Sequence, residues 1–245
     1  MWGKTLDMRA GRRWALAGAL ATLLLAGCAS GPTALSHDPL EPLNRSVQRF
    51  NDGVDEALLQ PVASAYRDHL PQPVRTGVGN FFGNLRDLWS SFNAVLQLRP
   101  REAAENFMRF NVNTFFGLGG VLDVASEMGI ERTTLDMGHT LGRWGVPAGP
   151  YLVLPLLGPS SVRDGAGLLV DRQGDWVTQG VDEVSTRNSL VSLRVVDTRA
   201  SLLGASELLE RAALDKYSFV RDAYLQRRQS QIEAGLPAAP DEASD

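Results

Sequence analysis

The sequence is poor in the residues that build disulfides and metal sites. It contains one cysteine, Cys28, and three histidines in 245 residues. A single cysteine excludes a disulfide within the chain. His37, His69 and His139 are far apart, and none stands at a metal-type spacing from another histidine or from Cys28. We therefore predict no metal site and no cofactor.

The motifs of common enzyme classes are also missing. Residues 158–162 lack the closing glycine of a nucleophile elbow and carry a proline that is unsuited to that turn. Residues 117–120 match neither a phosphate loop nor a dinucleotide fingerprint, because no strand precedes them and the glycine spacing is wrong. Carboxylate pairs such as Asp55 and Glu56 lie in polar stretches, as is typical of solvated faces. We predict that the protein is not an enzyme and has no catalytic residues.

Apolar runs long enough to cross a bilayer as a helix are absent. Residues 14–25 give twelve residues without a charge, whereas a spanning helix needs about 20. This run follows a start with four basic residues, which is the build of a secretory signal peptide. We place the signal peptide at residues 1–27.

The signal ends in Leu25-Ala26-Gly27-Cys28, which resembles the bacterial lipobox. The resemblance implies that the Cys28 thiol receives a diacylglyceryl group, that the chain is cut before Cys28, and that the new amino terminus is acylated. Several acyl chains give stable anchoring. No aspartate follows the cysteine, which implies sorting to the periplasmic side of the outer membrane. The alternative is a plain signal peptide with a chance cysteine.

Positive charge is also in short supply. The chain has 24 basic and 28 acidic residues, of which four and one precede Cys28, so the mature chain has a formal charge of −7. This balance makes nucleic acid an unfavourable partner.

The mature chain is predicted to consist of a flexible tether at 28–37, a helical domain at 38–234 and a disordered tail at 235–245. Apolar residues at steps of three or four predict helices that begin near Pro42, Pro73 and Arg101, with Pro61 limiting the first. One or two helices are expected around 190–209, and a last one around 217–232. The phenylalanines on these stripes could form a core, or they could lie in a membrane.

The centre of the sequence has a different composition. Residues 129–174 contain nine glycines and four prolines. Because proline removes backbone donors, residues 150–159 cannot form a regular central strand or a long helix. We predict an irregular apolar segment that is buried or lines a cavity. The expected fold class is mostly α, with short amphipathic helices around a packed or pore-like centre.

Several ordered segments resemble one family. They are Asp38-Pro39-Leu40-Glu41-Pro42-Leu43-Asn44-Arg45, Asn80-Phe81-Phe82-Gly83-Asn84-Leu85, Gly117-Leu118-Gly119-Gly120, and the stretch from Thr140 through Gly149-Pro150-Tyr151-Leu152-Val153-Leu154-Pro155 to Asp164. Over residues 38–230 the chain is similar to the VacJ/MlaA family of outer-membrane lipoproteins.

This resemblance implies a ring of helices seated in the inner leaflet of the outer membrane, with an amphipathic pore. Phospholipid that has strayed into the outer leaflet would pass through the pore to a soluble periplasmic carrier, which delivers it to an ATP-driven complex. A trimeric porin is the implied neighbour in the membrane. The implied partners are thus phospholipid, the bilayer, a porin and a carrier.

As a hypothesis, the pore lies in residues 115–123 and 142–157. Apolar and glycine residues would form its wall: Phe115, Phe116, Gly117, Leu118, Gly119, Gly120, Tyr151, Leu152 and Leu154. Arg143 and Arg163 are candidate headgroup contacts, because a charge in hydrocarbon is costly without a partner. Alternatively, these arginines form buried bridges to Asp123, Asp136 or Asp164.

Two other functions stay open at this point. The protein could be a structural lipoprotein that assembles porins without moving lipid, or it could be a lipid hydrolase. The hydrolase lacks a nucleophile constellation.

Overall fold

The chain from Glu41 to His69 is nearly continuous helix, although Pro61 lies within it. In the computed structural model, which describes residues 38–234, α1 is Glu41–Val54 and α2 is Gln60–His69. A π-helical turn, Asp55–Leu59, joins them. The prediction that Pro61 ends the first helix is therefore wrong. Its missing N–H is tolerated because Pro61 lies in the first turn of α2, after the wider π turn.

Two antiparallel helices follow and match the predicted starts. Helix α3 is Gln72–Leu96 and helix α4 is Pro100–Phe115, each with a proline in its first turn. At 25 residues, α3 is about 37 Å long at 1.5 Å per residue. The chain reverses between them at Leu98, whose φ is 55°.

A β-hairpin occupies the segment that we predicted to be irregular. After α5 (Val124–Glu127) and α6 (Met137–Arg143), strand β1 is Tyr151–Leu154 and strand β2 is Gly158–Ser161, paired antiparallel. The prediction of an irregular segment is wrong for these residues. Pro159 is accommodated because both strands of a two-stranded sheet are edge strands.

Asparagines of α1 cover the free edge of β1. The Asn44 side chain donates to the Tyr151 carbonyl and accepts from the Val153 N–H, each over 2.9 Å. The Asn51 side chain makes the same pair of bonds farther along, to the Leu154 carbonyl and the Leu156 N–H. These amides satisfy backbone groups that a third strand would otherwise pair.

The chain ends in two long helices. Helix α7 (Val162–Asp171) and the short helix α8 (Trp176–Gln179) lead into α9, Val184–Ala212, and α10, Lys216–Glu233. The region around 190–209 is thus one helix of 29 residues. The mostly helical fold class is confirmed, but α3 and α9 are longer than the short helices that we expected. All these elements belong to one compact unit that begins at Leu40.

Candidate functional site

Burial in this protein is inverted relative to a protein that folds in water. Large apolar side chains are exposed on many of the helices, with Phe115 at 76%, Phe116 at 75% and Leu118 at 73% of their full accessible area. The fully buried side chains are instead largely polar, and include Asn84, Asn93, Asn106, Arg109 and Asn113. An extended exposed apolar surface marks a contact with a membrane or a partner protein. The phenylalanine stripes therefore point mainly outward, not into a core.

No helix within residues 38–234 combines the length and the apolar character needed to span a membrane.

Two apolar cavities lie against α3. The first, of about 470 Å³, is lined by side chains of α3 and α9 together with Val121: Pro73, Val74, Gly77, Val78, Phe81, Phe82, Leu190 and Leu193. The second, of about 420 Å³, is lined by the other half of α3 and by the segment around α8: Leu88, Trp89, Phe92, Gln173, Gly174, Trp176, Gln179 and Gly180. Both can hold hydrocarbon.

A smaller polar cavity of about 110 Å³ separates these two apolar cavities. It shares Phe82 with the first apolar cavity, and it shares Trp89, Gly174 and Trp176 with the second. Its other lining residues are Leu85 and four charged residues: Arg86, Asp171, Asp175 and Arg194. The three cavities lie in a row along α3 from Pro73 to Phe92, which is roughly 28 Å at 1.5 Å per residue, and we call this row the path.

The carboxylates of the polar cavity are held by fixed donors. Arg194 binds Asp175 through two parallel hydrogen bonds of 2.8 Å each. Asp171 accepts from the Trp89 indole over 2.7 Å and from the Met137 N–H over 2.8 Å. Burial raises the pKa of Asp171. Burial would also raise the pKa of Asp175, but the bonds from Arg194 outweigh it and lower that pKa.

A buried ionic network fixes α3, α4 and α5 to one another. Arg109 donates to both oxygens of Asp123 over 2.7 Å, to Asp87 over 3.4 Å and to the Ile130 carbonyl. Arg132 binds Asp87 from the other side at 2.8 Å. Burial alone would raise the pKa of Asp123, but hydrogen bonds from Ser126, Asn113 and Arg109 outweigh it and lower this pKa to about 2.

Acid is expected to weaken this network through Asp123. Because its pKa in the fold lies below the ordinary 3.8, its charge stabilises the fold above about pH 4, and this contribution is lost as the pH falls towards 2. Asp123→Asn should therefore reduce the loss of unfolding free energy between pH 4 and pH 2 by about 2 kcal/mol. Urea unfolding across this range checks it.

The variant must be compared with the wild type because Asp87 acts in the opposite direction. Burial raises the pKa of Asp87 although Arg132 and Arg109 oppose this effect, so its contribution is lost as the pH rises. An acid dependence of Asp123→Asn equal to that of the wild type would contradict the assignment to Asp123.

The two predicted headgroup arginines lie near each other but differ in their partners. Arg163 is buried and binds Asp164 at 2.9 Å, which is one of the bridges considered above. Its guanidinium lies beside Gly142, the neighbour of Arg143. The Nη1 atom of Arg143 is buried and has no hydrogen-bond partner within the described chain. A headgroup role for either arginine stays a prediction.

The predicted wall residues fall into two groups that pack on different helices. Phe115, Phe116, Gly117, Leu118, Gly119 and Gly120 end α4 and turn beside α3, where a Cβ on Gly120 would stand 2.6 Å from the Asn84 side chain. Tyr151, Leu152 and Leu154 are in β1 beside α1. Tyr151 is buried at 2% exposure in a cluster with Val153 and Tyr217, whereas Leu152 and Leu154 are half-buried.

Sequence reasoning missed the charged residues of the polar cavity. Val121 is the residue of the predicted pore regions that lines one of the three cavities. The missed residues, Arg86 on α3 and Arg194 on α9, did leave a signal. Phe82, Arg86 and Trp89 follow the helical repeat, so that an arginine stands within an apolar stripe. Such a break indicates a charged group that faces a lined space.

The residues outside the described range, 1–37 and 235–245, comprise the predicted signal peptide, the tether with Cys28 and the tail. The lipidation of Cys28 therefore stays a prediction.

Comparison with known proteins agrees with this architecture. The profile of the MlaA lipoprotein family matches residues 36–231. The intermembrane phospholipid transport system lipoprotein MlaA of Escherichia coli (strain K12) is 40% identical over 85% of this chain and 84% of its own length. The lipoprotein of the same name from Haemophilus influenzae is 34% identical over 88% of this chain and 89% of its own length.

A solved structure described as "Structural basis for maintenance of bacterial outer membrane lipid asymmetry" has the same fold. It is 36% identical, with a TM-score of 0.65 over 80% of this chain and 98% of its own. The residues matched by the family profile span α1 to α9 and nearly all of α10. On the profile match and these identities, the chain belongs to the MlaA lipoprotein family.

Proposed function

We propose that this protein removes phospholipid from the outer leaflet of the outer membrane and passes it through its interior towards the periplasm. It thereby works as an intermembrane phospholipid transport lipoprotein, as its relatives' names state for them, and it maintains lipid asymmetry, which the description of the similar solved structure names. The observation that supports this most directly is the path along α3, in which a polar cavity lies between two apolar cavities. Many large apolar side chains are exposed, and most of the largest fully buried side chains are polar.

This order of cavities suits an amphiphile that must move its headgroup across hydrocarbon. A charged group at the centre of a bilayer is costly unless polar partners replace its water. Residues such as Arg86 and Arg194 supply those partners, while the apolar cavities accept the acyl chains. The proposed pore is this path, and the helices around it form the proposed ring.

The proposed location is the periplasmic side of the outer membrane, with the helices in the inner leaflet. Acyl groups on Cys28 anchor the chain, and exposed side chains such as Phe115 and Phe116 enter the leaflet. Burial of apolar surface in lipid contributes roughly 25 cal/mol per Å². The anchor and the apolar surface act together.

The path lowers a barrier but provides no energy, so net transport requires a partner that withdraws lipid. Because a phospholipid is insoluble in water, we propose a soluble periplasmic carrier that covers the acyl chains. A trimeric porin is the proposed membrane neighbour, on the resemblance of the sequence to the family.

Filling the first apolar cavity tests the path. Leu193→Trp places an indole in the cavity, whereas Val195→Trp lies on the same helix, outside the three cavities. In cells that carry these variants as their sole copy, outer-leaflet phospholipid is measured with a phospholipase that acts from outside. In cells with Leu193→Trp, outer-leaflet phospholipid should approach the amount in cells that lack the protein. In cells with Val195→Trp, it should match the amount in wild-type cells.

Equal amounts of both variants in the membrane fraction are required for this comparison. If cells without the protein accumulate no outer-leaflet phospholipid, the proposed transport function is refuted, and altered porin levels would then support a structural role. If those cells do accumulate it but cells with Leu193→Trp keep the wild-type level, the path does not run through this cavity.

A further inference from the structure

We propose that Arg86 binds the phosphate group of the phospholipid in the polar cavity and so acts as the headgroup-recognition residue of the path. This inference rests on the proposed function and identifies the part of the lipid that the site binds, which is its phosphate.

The position of Arg86 combines solvent access with a protein environment. It lies in the middle of α3, between Leu85 and Asp87, and lines the polar cavity. Its side chain is exposed, although it stands among the walls of the path. Burial lowers the pKa of Arg86, and the positive charges of Arg194 and Arg132 lower it further, against the opposing effect of Asp87. The guanidinium thus lies among charged groups of both signs, and two of the other arginines act against its own positive charge.

The nearby carboxylates are all bound by other donors. Asp175 is held by the two bonds from Arg194, and Asp171 by the Trp89 indole and a backbone N–H. Asp87 is shared between two other arginines, Arg109 and Arg132.

Within residues 38–234, Arg86 itself makes no ion pair and no side-chain hydrogen bond. Because its side chain is exposed and has no partner within the described part of the chain, Arg86 is accessible to an anion that arrives from outside the protein.

The cavities on either side identify the class of that anion. A guanidinium presents a planar fork that binds a phosphate through two hydrogen bonds. On either side, the polar cavity shares lining residues with an apolar cavity of more than 400 Å³. An anion with hydrocarbon attached fills all three, and every phospholipid carries a phosphodiester whatever its headgroup. Free phosphate offers the same oxyanion chemistry but leaves the apolar cavities empty.

Lipid binding to the full-length lipoprotein in non-ionic detergent tests the assignment. The probes are short-chain phosphatidylglycerol and phosphatidylethanolamine with a fluorescent acyl chain, the matched diacylglycerol without phosphate, and inorganic phosphate as a competitor. The variants are Arg86→Gln and Arg86→Lys. Arg211→Gln, an exposed arginine on α9 outside the cavities, is the matched control.

Arg86→Gln is expected to bind both phospholipids roughly tenfold more weakly, since a hydrogen bond to a charged group is worth at least that factor. The phospholipid affinity of Arg86→Lys should lie between those of the wild type and Arg86→Gln, and the affinity of Arg211→Gln should match that of the wild type. Diacylglycerol should bind all four proteins alike. In the wild type and in Arg211→Gln, phospholipid binding should weaken between 0.05 and 0.5 M salt more than it does in Arg86→Gln, because screening reduces the attraction of partly exposed charges.

Unchanged phospholipid affinity in both Arg86 variants would overturn the inference, as would an equal loss of diacylglycerol. If inorganic phosphate binds through Arg86 while phospholipid affinity stays unchanged, the site holds free phosphate, and the lipid role is wrong. If Arg86→Gln fails to fold, Arg86→Lys and the salt dependence of the wild type decide. Failure of the Leu193→Trp test would refute the path itself, whereas normal Arg86 variants beside a defective Leu193→Trp would refute the inference alone.

Discussion

Arg109→Met should be among the most destabilising substitutions in this protein, with a loss of about 3 kcal/mol or more in unfolding free energy. The Arg109 side chain is 1% exposed and pairs with Asp87 and Asp123. Its removal leaves Asp123 without its strongest charged partner and empties a donor position at the Ile130 carbonyl. Because the free energy of unfolding of a domain is only about 5–15 kcal/mol, the amount of the variant protein in cells should fall well below that of the wild type.

Chemical unfolding and the amount of protein in the membrane fraction measure this effect. Arg101→Gln is the matched control, because Arg101 is on the same helix, pairs with Glu105 and is 80% exposed; it should behave as the wild type. The double variant Arg109→Met with Asp123→Asn should recover part of the loss, since it no longer leaves a charge unpaired. An unfolding midpoint of Arg109→Met equal to that of the wild type would show that the network does not stabilise the fold.

The positions of prolines and the spacing of apolar residues predicted where helices begin. These rules failed at Pro61, where a π-helical turn compensates for the proline. Pro73 and Pro100 lie in first turns, as expected. Pro61 does so too, but the π turn before it lets the helix continue, and nothing in the local pattern announces that turn. The β-hairpin escaped prediction because the partners that stabilise its free edge, Asn44 and Asn51, come from a helix about a hundred residues away.

The candidate site was predictable in kind but not in position. An apolar stripe indicates that one side of a helix avoids water, and in a protein surrounded by water that side usually packs into the core. In this protein the stripe residue Phe92 is half exposed, whereas Asn93 beside it is completely buried. The sequence identifies both residues, but the choice of which face turns inward depends on the solvent around the protein. The arginine inside the stripe of α3 was the local sign of a lined path.

Phe116→Asp is expected to weaken the association of the unacylated protein with a bilayer by about 2 kcal/mol, or roughly thirtyfold. Phe116 closes α4 at 75% exposure, beside Phe115 and Leu118. In the leaflet its ring leaves water, whereas an aspartate there would keep its charge in a poorly solvated place.

Co-sedimentation of the chain from Ala29 onward with vesicles of phosphatidylethanolamine and phosphatidylglycerol measures the partition. Phe116→Leu is the matched control and should bind as the wild type, because it keeps an apolar group at the same position. Equal binding of Phe116→Asp and the wild type would mean that this surface does not enter lipid. Its exposure would then require a protein partner, and the porin would become the first candidate. The inverted burial demands one of these two environments, because an apolar surface of this extent in water promotes aggregation.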